Sequence, residues 1–122
     1  MILLLQTRII NKGNIMPTIY FKVSDQYTIT PGGRYIKDGD FSGEKFREEY
    51  LMKLYSSMVK FKANLVINLD DTYGYAASFL HEAFGILARK TQDDRLLDIE
   101  FISNDEPFLI DEIRSYILDE LL

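Results

Sequence analysis

The chain has 122 residues, 47% of them hydrophobic, and a formal net charge of −5, which suits one globular domain around a single core. It has no cysteine and one histidine, His81, which excludes thiol catalysis, a disulfide framework, a cysteine-based zinc site and a histidine-rich metal site. The acidic balance, with no basic run and no basic helix face, argues against nucleic acid and an anionic membrane surface as partners and leaves proteins open.

The opening "MILLLQ" lacks the basic segment, the apolar length and the cleavage site of a signal peptide. No stretch approaches the ~18 apolar residues of a membrane span, so a soluble, cytoplasmic chain is expected. "ILLLQTRII" (2–10) reads as a strand and "NKGN" as a turn. "TIYFKV" (18–23) alternates Ile19, Phe21 and Val23 with Tyr20 and Lys22, the period of a half-buried strand. "NKGNIM" can be encoded with a purine-rich ribosome-binding sequence just ahead of an ATG at Met16. Residues 1–16 are therefore read either as a true first strand and turn, hairpinned to the second strand, or as an extension, its residues 1–15 lying ahead of a native start at Met16. N-terminal sequencing of the native protein would then find Pro17 first. Residues 17–122 form the main domain in both readings.

"TITPGGRYIKDGDFSG" (28–43) is punctuated by Pro31 and four glycines and reads as loop, with a short strand at "RYI". Ser42 is placed to cap a helix over about 43–60, whose apolar stripe is Phe46, Tyr50, Leu51, Leu54, Tyr55 and Met58. "LVINLD" (65–70) is short and nearly continuous in Leu, Val and Ile, as in a central strand covered on both faces. A second helix, about 77–90, buries Leu80, Ala83, Phe84, Leu87 and Ala88 and ends on Arg89 and Lys90. "LLDIEFIS" (96–103) reads as a strand. A last helix of about 107–121, with Pro107 in its first turn, turns Leu109, Ile110, Ile113, Ile117 and Leu121 inward. The order predicts a single α/β domain: a mixed β-sheet with packed α-helices, its strand–helix–strand units parallel.

"PGGRYIKDGDFSGEKFREEYL" (31–51), "VINLDDTYGYAASFLHEAFGILAR" (66–89) and "PFLIDEIRSYI" (107–117) together resemble the STAS-like DUF4325 family, over roughly residues 23 to 120. That family is similar to STAS domains, the fold of bacterial anti-sigma factor antagonists. There a strand near "LDLS" leads through a loop into a helix beginning "DSSG", whose first serine accepts phosphate from an anti-sigma kinase. Over that pattern Ala76 and Ala77 fall on the Asp and the phosphorylatable Ser, Ser78 on the second serine and Phe79 on the glycine. The resemblance implies a regulatory module without enzymatic activity or cofactor, whose partner is a histidine-kinase-like ATPase or anti-sigma factor. The binding surface it implies is the exposed loop and helix start at 73–82.

The residues themselves give each candidate two readings. Ser78 is read as a helix cap, with a phosphoacceptor as the alternative. Tyr73 and Tyr75 are each either an interface anchor or a packed ring, around a Gly74 that supplies an unusual backbone angle. His81 and Glu82 point about 100° apart on a helix, which makes neither a metal pair nor a catalytic dyad. Arg34 is expected to pair with a carboxylate, and Asp70 and Asp71 to be a solvated strand end. Together Tyr73, Gly74, Tyr75, Ser78, His81, Glu82 and Arg34 form the proposed partner-binding set. The alternatives are a small enzyme or ligand-binding domain using Ser78 and His81, and a domain that self-associates through the same face or a sheet edge.

Overall fold

A computed structural model describes residues 4–10 and 14–122, with side chains from Met16 onward. The first three residues and residues 11–13 of the predicted turn at 11–14 lie outside the described residues, and Asn14 opens β2. Strands β1 (Leu4–Ile10), β2 (Asn14–Lys22), β3 (Asn64–Asn68) and β4 (Glu100–Ile102) form one sheet in the order β1-β2-β3-β4. β1 runs antiparallel to β2, pairing Leu5 with Ile19 and Thr7 with Pro17. β2–β3 and β3–β4 are parallel, so the domain is mixed α/β. Pro17 is tolerated because pairing with β3 begins only at Thr18.

After β2 the chain makes one helical turn, α1 (Val23–Gln26), one residue earlier than the alternation of Ile19, Phe21 and Val23 suggests. The predicted strand at "RYI" is instead a 3-10 turn, Ile36–Asp38. It is closed by the Asp38 carboxylate, which accepts the Tyr35 N–H at 3.0 Å. Helix α2 runs continuously over 43–61: an α-helical turn Gly43–Phe46, a π-helical turn Arg47–Leu51, then α-helical Met52–Phe61. Ser42 caps it, accepting the Lys45 N–H. Helix α3 repeats that plan over 77–91, with Ala77–Leu80, a π-helical turn His81–Gly85 and Ile86–Thr91. The strand predicted from residue 96 begins only at Glu100. Asp93 accepts the Arg95 N–H and starts a 3-10 turn, Asp94–Asp98, that takes Leu96 and Leu97 out of the sheet. Helix α4 is Leu109–Glu120, with Pro107 just ahead of it.

The crossovers β2–α2–β3 and β3–α3–β4 step in the same direction along the sheet. Right-handed crossovers of that kind place their helices on one face, and the core lies there. Ile19, Phe21, Leu65, Ile67 and Phe101 from the sheet meet Phe46, Leu54, Phe79, Phe84, Leu87 and Ile113 from the helices. Phe46 is central, with the rings of Phe21, Phe79 and Phe84 all within 6.1 Å of it. Val66 is buried but lies outside this cluster, in register between Tyr20 and Glu100 on the opposite face. Leu65, Val66, Ile67 and Asn68 are all buried, so β3 is covered on both faces as expected, although the helical layer lies on one.

Helices α2 and α3 approach unusually closely. A Cβ added at Gly43 would stand 2.4 Å from the Phe79 carbonyl oxygen, so only glycine fits there. This contact sets the height of the α3 start against the start of α2. No helix among the described residues is long and apolar enough to cross a membrane.

Candidate functional site

The carboxyl ends of the parallel strands carry the loops around 70–75 and 103–108 and the first turn of α3. Asp70 is 9% exposed. Its two oxygens accept the Asn104 side-chain amide and the Asp105 N–H, each at 2.9 Å. It is thus a buried fastener between loops rather than the solvated strand end expected. Asp71 is exposed, has φ of 67°, pairs with Lys22 and donates its N–H to Asp105. That hydrogen bond to Asp71 raises the Lys22 pKa. Among the described residues no group of three or more His, Asp or Glu side chains could hold a metal ion.

Gly74 has φ of 109°, in the region that favours glycine. It turns the two flanking tyrosines to opposite fates. Tyr73 is 84% exposed. Tyr75 turns inward, packing on Phe79 with ring centroids 5.8 Å apart and donating its hydroxyl to the Leu69 carbonyl at 3.0 Å. Burial pushes its pKa well up. Of the tyrosine pair, only Tyr73 can anchor a partner.

The cap reading of Ser78 is also corrected. Ala76 occupies the N-cap of α3 and no side chain caps that end. Ser78 is the second helical residue, too far into the turn for its hydroxyl to reach the N–H groups a cap serves. Ala76 and Ala77 are exposed and Ser78 half-buried.

Arg34, His81 and Glu82 do converge. The Arg34 Nη1 lies 3.0 Å from His81 Nδ1 and 3.3 Å from Glu82 Oε1. A guanidinium only donates, so His81 Nδ1 accepts; Nε2 then carries the proton and donates to Glu120 at 3.3 Å. The imidazole packs edge-on against Tyr116 and lies over Gly85, where a Cβ would come within 2.9 Å of it. Glu120 in turn takes a two-pronged bond from Arg89, which holds its carboxyl below the ordinary range.

Two residues outside the predicted set complete the network, Arg47 and Glu120. Arg47, with its side chain 4% exposed, binds Glu82, with its side chain 8% exposed, at 2.7 Å. The same nitrogen donates to the Glu82 main-chain carbonyl at 2.6 Å. This stitches the π turn of α2 to the π turn of α3. The sequence does carry a signal for it: Arg47 stands four, seven and eleven residues before Leu51, Leu54 and Met58, on the stripe that faces the core.

The two described cavities lie near the opposite end of the sheet. A groove of about 610 Å³ runs beside Tyr55, Gln92, Asp93 and Arg95. A second, of about 280 Å³, is lined by Met16, Met58, Val59 and Leu65 with Lys62 and Asp98. Neither includes a residue of 70–82. No family model, curated protein or solved structure matches this chain.

Proposed function

We propose that the chain is a non-enzymatic, cytoplasmic regulatory module of STAS-like type that binds a signalling protein through the loop and helix start at 73–82. The observation that carries this reading is how the candidate polar groups are used. Arg34, His81, Glu82 and Arg47 bond one another, and Asp70 bonds its neighbouring loop. What faces solvent beside them is an aromatic anchor, Tyr73, and the small residues Ala76 and Ala77. Catalysis wants polar groups aimed at a substrate, whereas recognition wants an accessible aromatic on a held scaffold.

The family resemblance supports a histidine-kinase-like ATPase or anti-sigma factor as partner. Phosphate on Ser78 would place a dianion beside the uncapped N–H groups of α3, which makes Ser78 the residue to watch. The test is capture of partners by the tagged protein from lysate of its own host with ATP present, read by mass spectrometry. An ATPase-type regulator enriched by the unmodified chain, and lost with Tyr73→Ala and with Ser78→Asp, is the expected result. Equal enrichment by all three proteins, or none by any, would overturn the assignment.

A further inference from the structure

Each end of the molecule exposes an aromatic side chain, one in an acidic face and the other between two lysines. At the carboxyl ends of the strands, Tyr73 is 84%, Phe108 60% and Ile29 49% exposed. They belong to loops that touch. The Tyr73 N–H donates to the Ile29 carbonyl at 2.8 Å, and Gly74 lies against Glu106. The segments that build this end, 22–30, 70–75 and 104–112, carry Asp25, Asp70, Asp71, Asp105, Glu106, Asp111 and Glu112 against a single cation, Lys22. Lys22 is already bound to Asp71. An apolar-aromatic face in so negative a field selects a basic partner that brings an apolar side chain with it.

This chain presents such a group at its other end. Lys60, Phe61 and Lys62 close α2 and are all exposed, Phe61 to 51%. The Lys60 ammonium sits 5.4 Å from the centre of the Phe61 ring. Lys62 projects from a left-handed residue with φ of 50°. Neither lysine forms an ion pair among the described residues, although Asp98 lines the same cavity as Lys62. The negative end of the α2 dipole accounts for a lysine there, but not for an exposed phenylalanine between two. The length of β3, roughly 17 Å at about 3.3 Å per residue, separates this knob from the Tyr73 face. One molecule cannot bring its own two ends together.

We propose that a second copy of this chain occupies the Tyr73 face, docking head to tail through Lys60, Phe61 and Lys62. The contact is heterologous, so each joined pair keeps one free head and one free tail, and association extends into open chains or closes into a ring. A knob of three residues covers far less than the roughly 800 Å² per partner of stable complexes. Assembly is therefore weak and follows concentration. It also covers Tyr73, so self-association and partner binding exclude each other. Self-association needs no signalling partner, and purified protein alone tests it.

The experiment is analytical ultracentrifugation of the purified full chain across concentration, in ~0.1 M and ~1 M salt, which shortens the screening length from about 10 Å to about 3 Å. The expected result is a weight-average mass that climbs with concentration at low salt and falls back toward the monomer at high salt. Lys60→Glu with Lys62→Glu, and separately Tyr73→Ala with Phe108→Ala, should each abolish the climb. Mixing the two variants should restore a one-to-one dimer and nothing larger, because one intact head then meets one intact tail. A monomer at every concentration, association indifferent to salt, or variants that still assemble alone would each overturn the proposal. The salt dependence of the unmodified chain keeps the test independent of how the variants fold.

Discussion

Replacing Glu82 by leucine removes the carboxylate that Arg47 faces across the α2–α3 contact. Arg47 has its side chain 4% exposed, so its charge has no route to water without parting the helices. Breaking a buried pair from one side typically costs about 3–5 kcal/mol, because the remaining ion is uncompensated. Here Arg47 retains the main-chain carbonyl of residue 82 at 2.6 Å and the Glu48 carboxylate at 3.0 Å, which places the loss near the lower end, about 3 kcal/mol. At this chain length, roughly 4 °C of melting temperature accompany each kcal/mol. Glu82→Leu should therefore melt about 12 °C below the unmodified protein, on that same conversion. Arg47→Met should cost a similar amount, by stranding Glu82 with half-exposed Arg34 as its remaining charged partner. Combined, the two changes put apolar volume on both sides and should return to within about 1 kcal/mol of the starting stability. Thermal and urea unfolding followed by circular dichroism would measure the cycle. Single variants that lose under about 1 kcal/mol, or a double variant that loses the sum, would refute the claim that this pair is buried and mutually dependent.

Gly43→Ala should destabilise by about 2–4 kcal/mol, since its Cβ would meet backbone rather than a yielding side chain; Gly32→Ala, with 3.9 Å of clearance, is the control in the same melts. Asp70→Ala should free the 104–108 loop, seen as faster amide hydrogen exchange at Asp105 with protection in β3 retained. Asp93 is held far below its ordinary value of 3.8, chiefly by the Arg95 guanidinium and further by the Tyr55 hydroxyl. A carboxylate lowered by folding stabilises fully above its unfolded value and loses that contribution as pH falls through the folded one. Between about pH 5 and pH 2 the melting temperature should thus drop less steeply for Asp93→Asn than for the unmodified chain.

Periodicity made the architecture legible because burial here is regular. The stripe from Phe46 to Met58 and the run of Leu65 to Ile67 each have one arrangement that hides them from water. What periodicity does not reveal is set by polar side chains closing on nearby backbone. Asp93 turns "DRLLD" into a 3-10 turn despite its strand-like leucines, and Asp38 does the same to "RYI". At the candidate site, the meeting of Arg34 with His81 and Glu82 spans 47 and 48 residues, a separation that no local pattern records. The inward turn of Tyr75 and the outward turn of Tyr73 follow from the backbone angle at Gly74. Composition shows that angle is allowed but not which ring it favours. Arg47 is readable as an arginine on an apolar stripe, a mismatch that points to a buried counter-charge.

The π turns bear on how this chain can gain or lose length. Phe46 and Leu51 are both buried although five residues apart, because the wide turn between them holds one residue more than an α-helix would. Deleting exposed Glu49 would let that turn close to ordinary α geometry, with Gly43–Phe46 and Met52–Phe61 still presenting their former faces. The same deletion inside Met52–Phe61 would rotate everything beyond it by about 100° and carry Met58 out of the core. Helix α2 therefore has one place where its reading frame of buried faces can absorb an indel, and that place lies directly beside the Arg47–Glu82 pair.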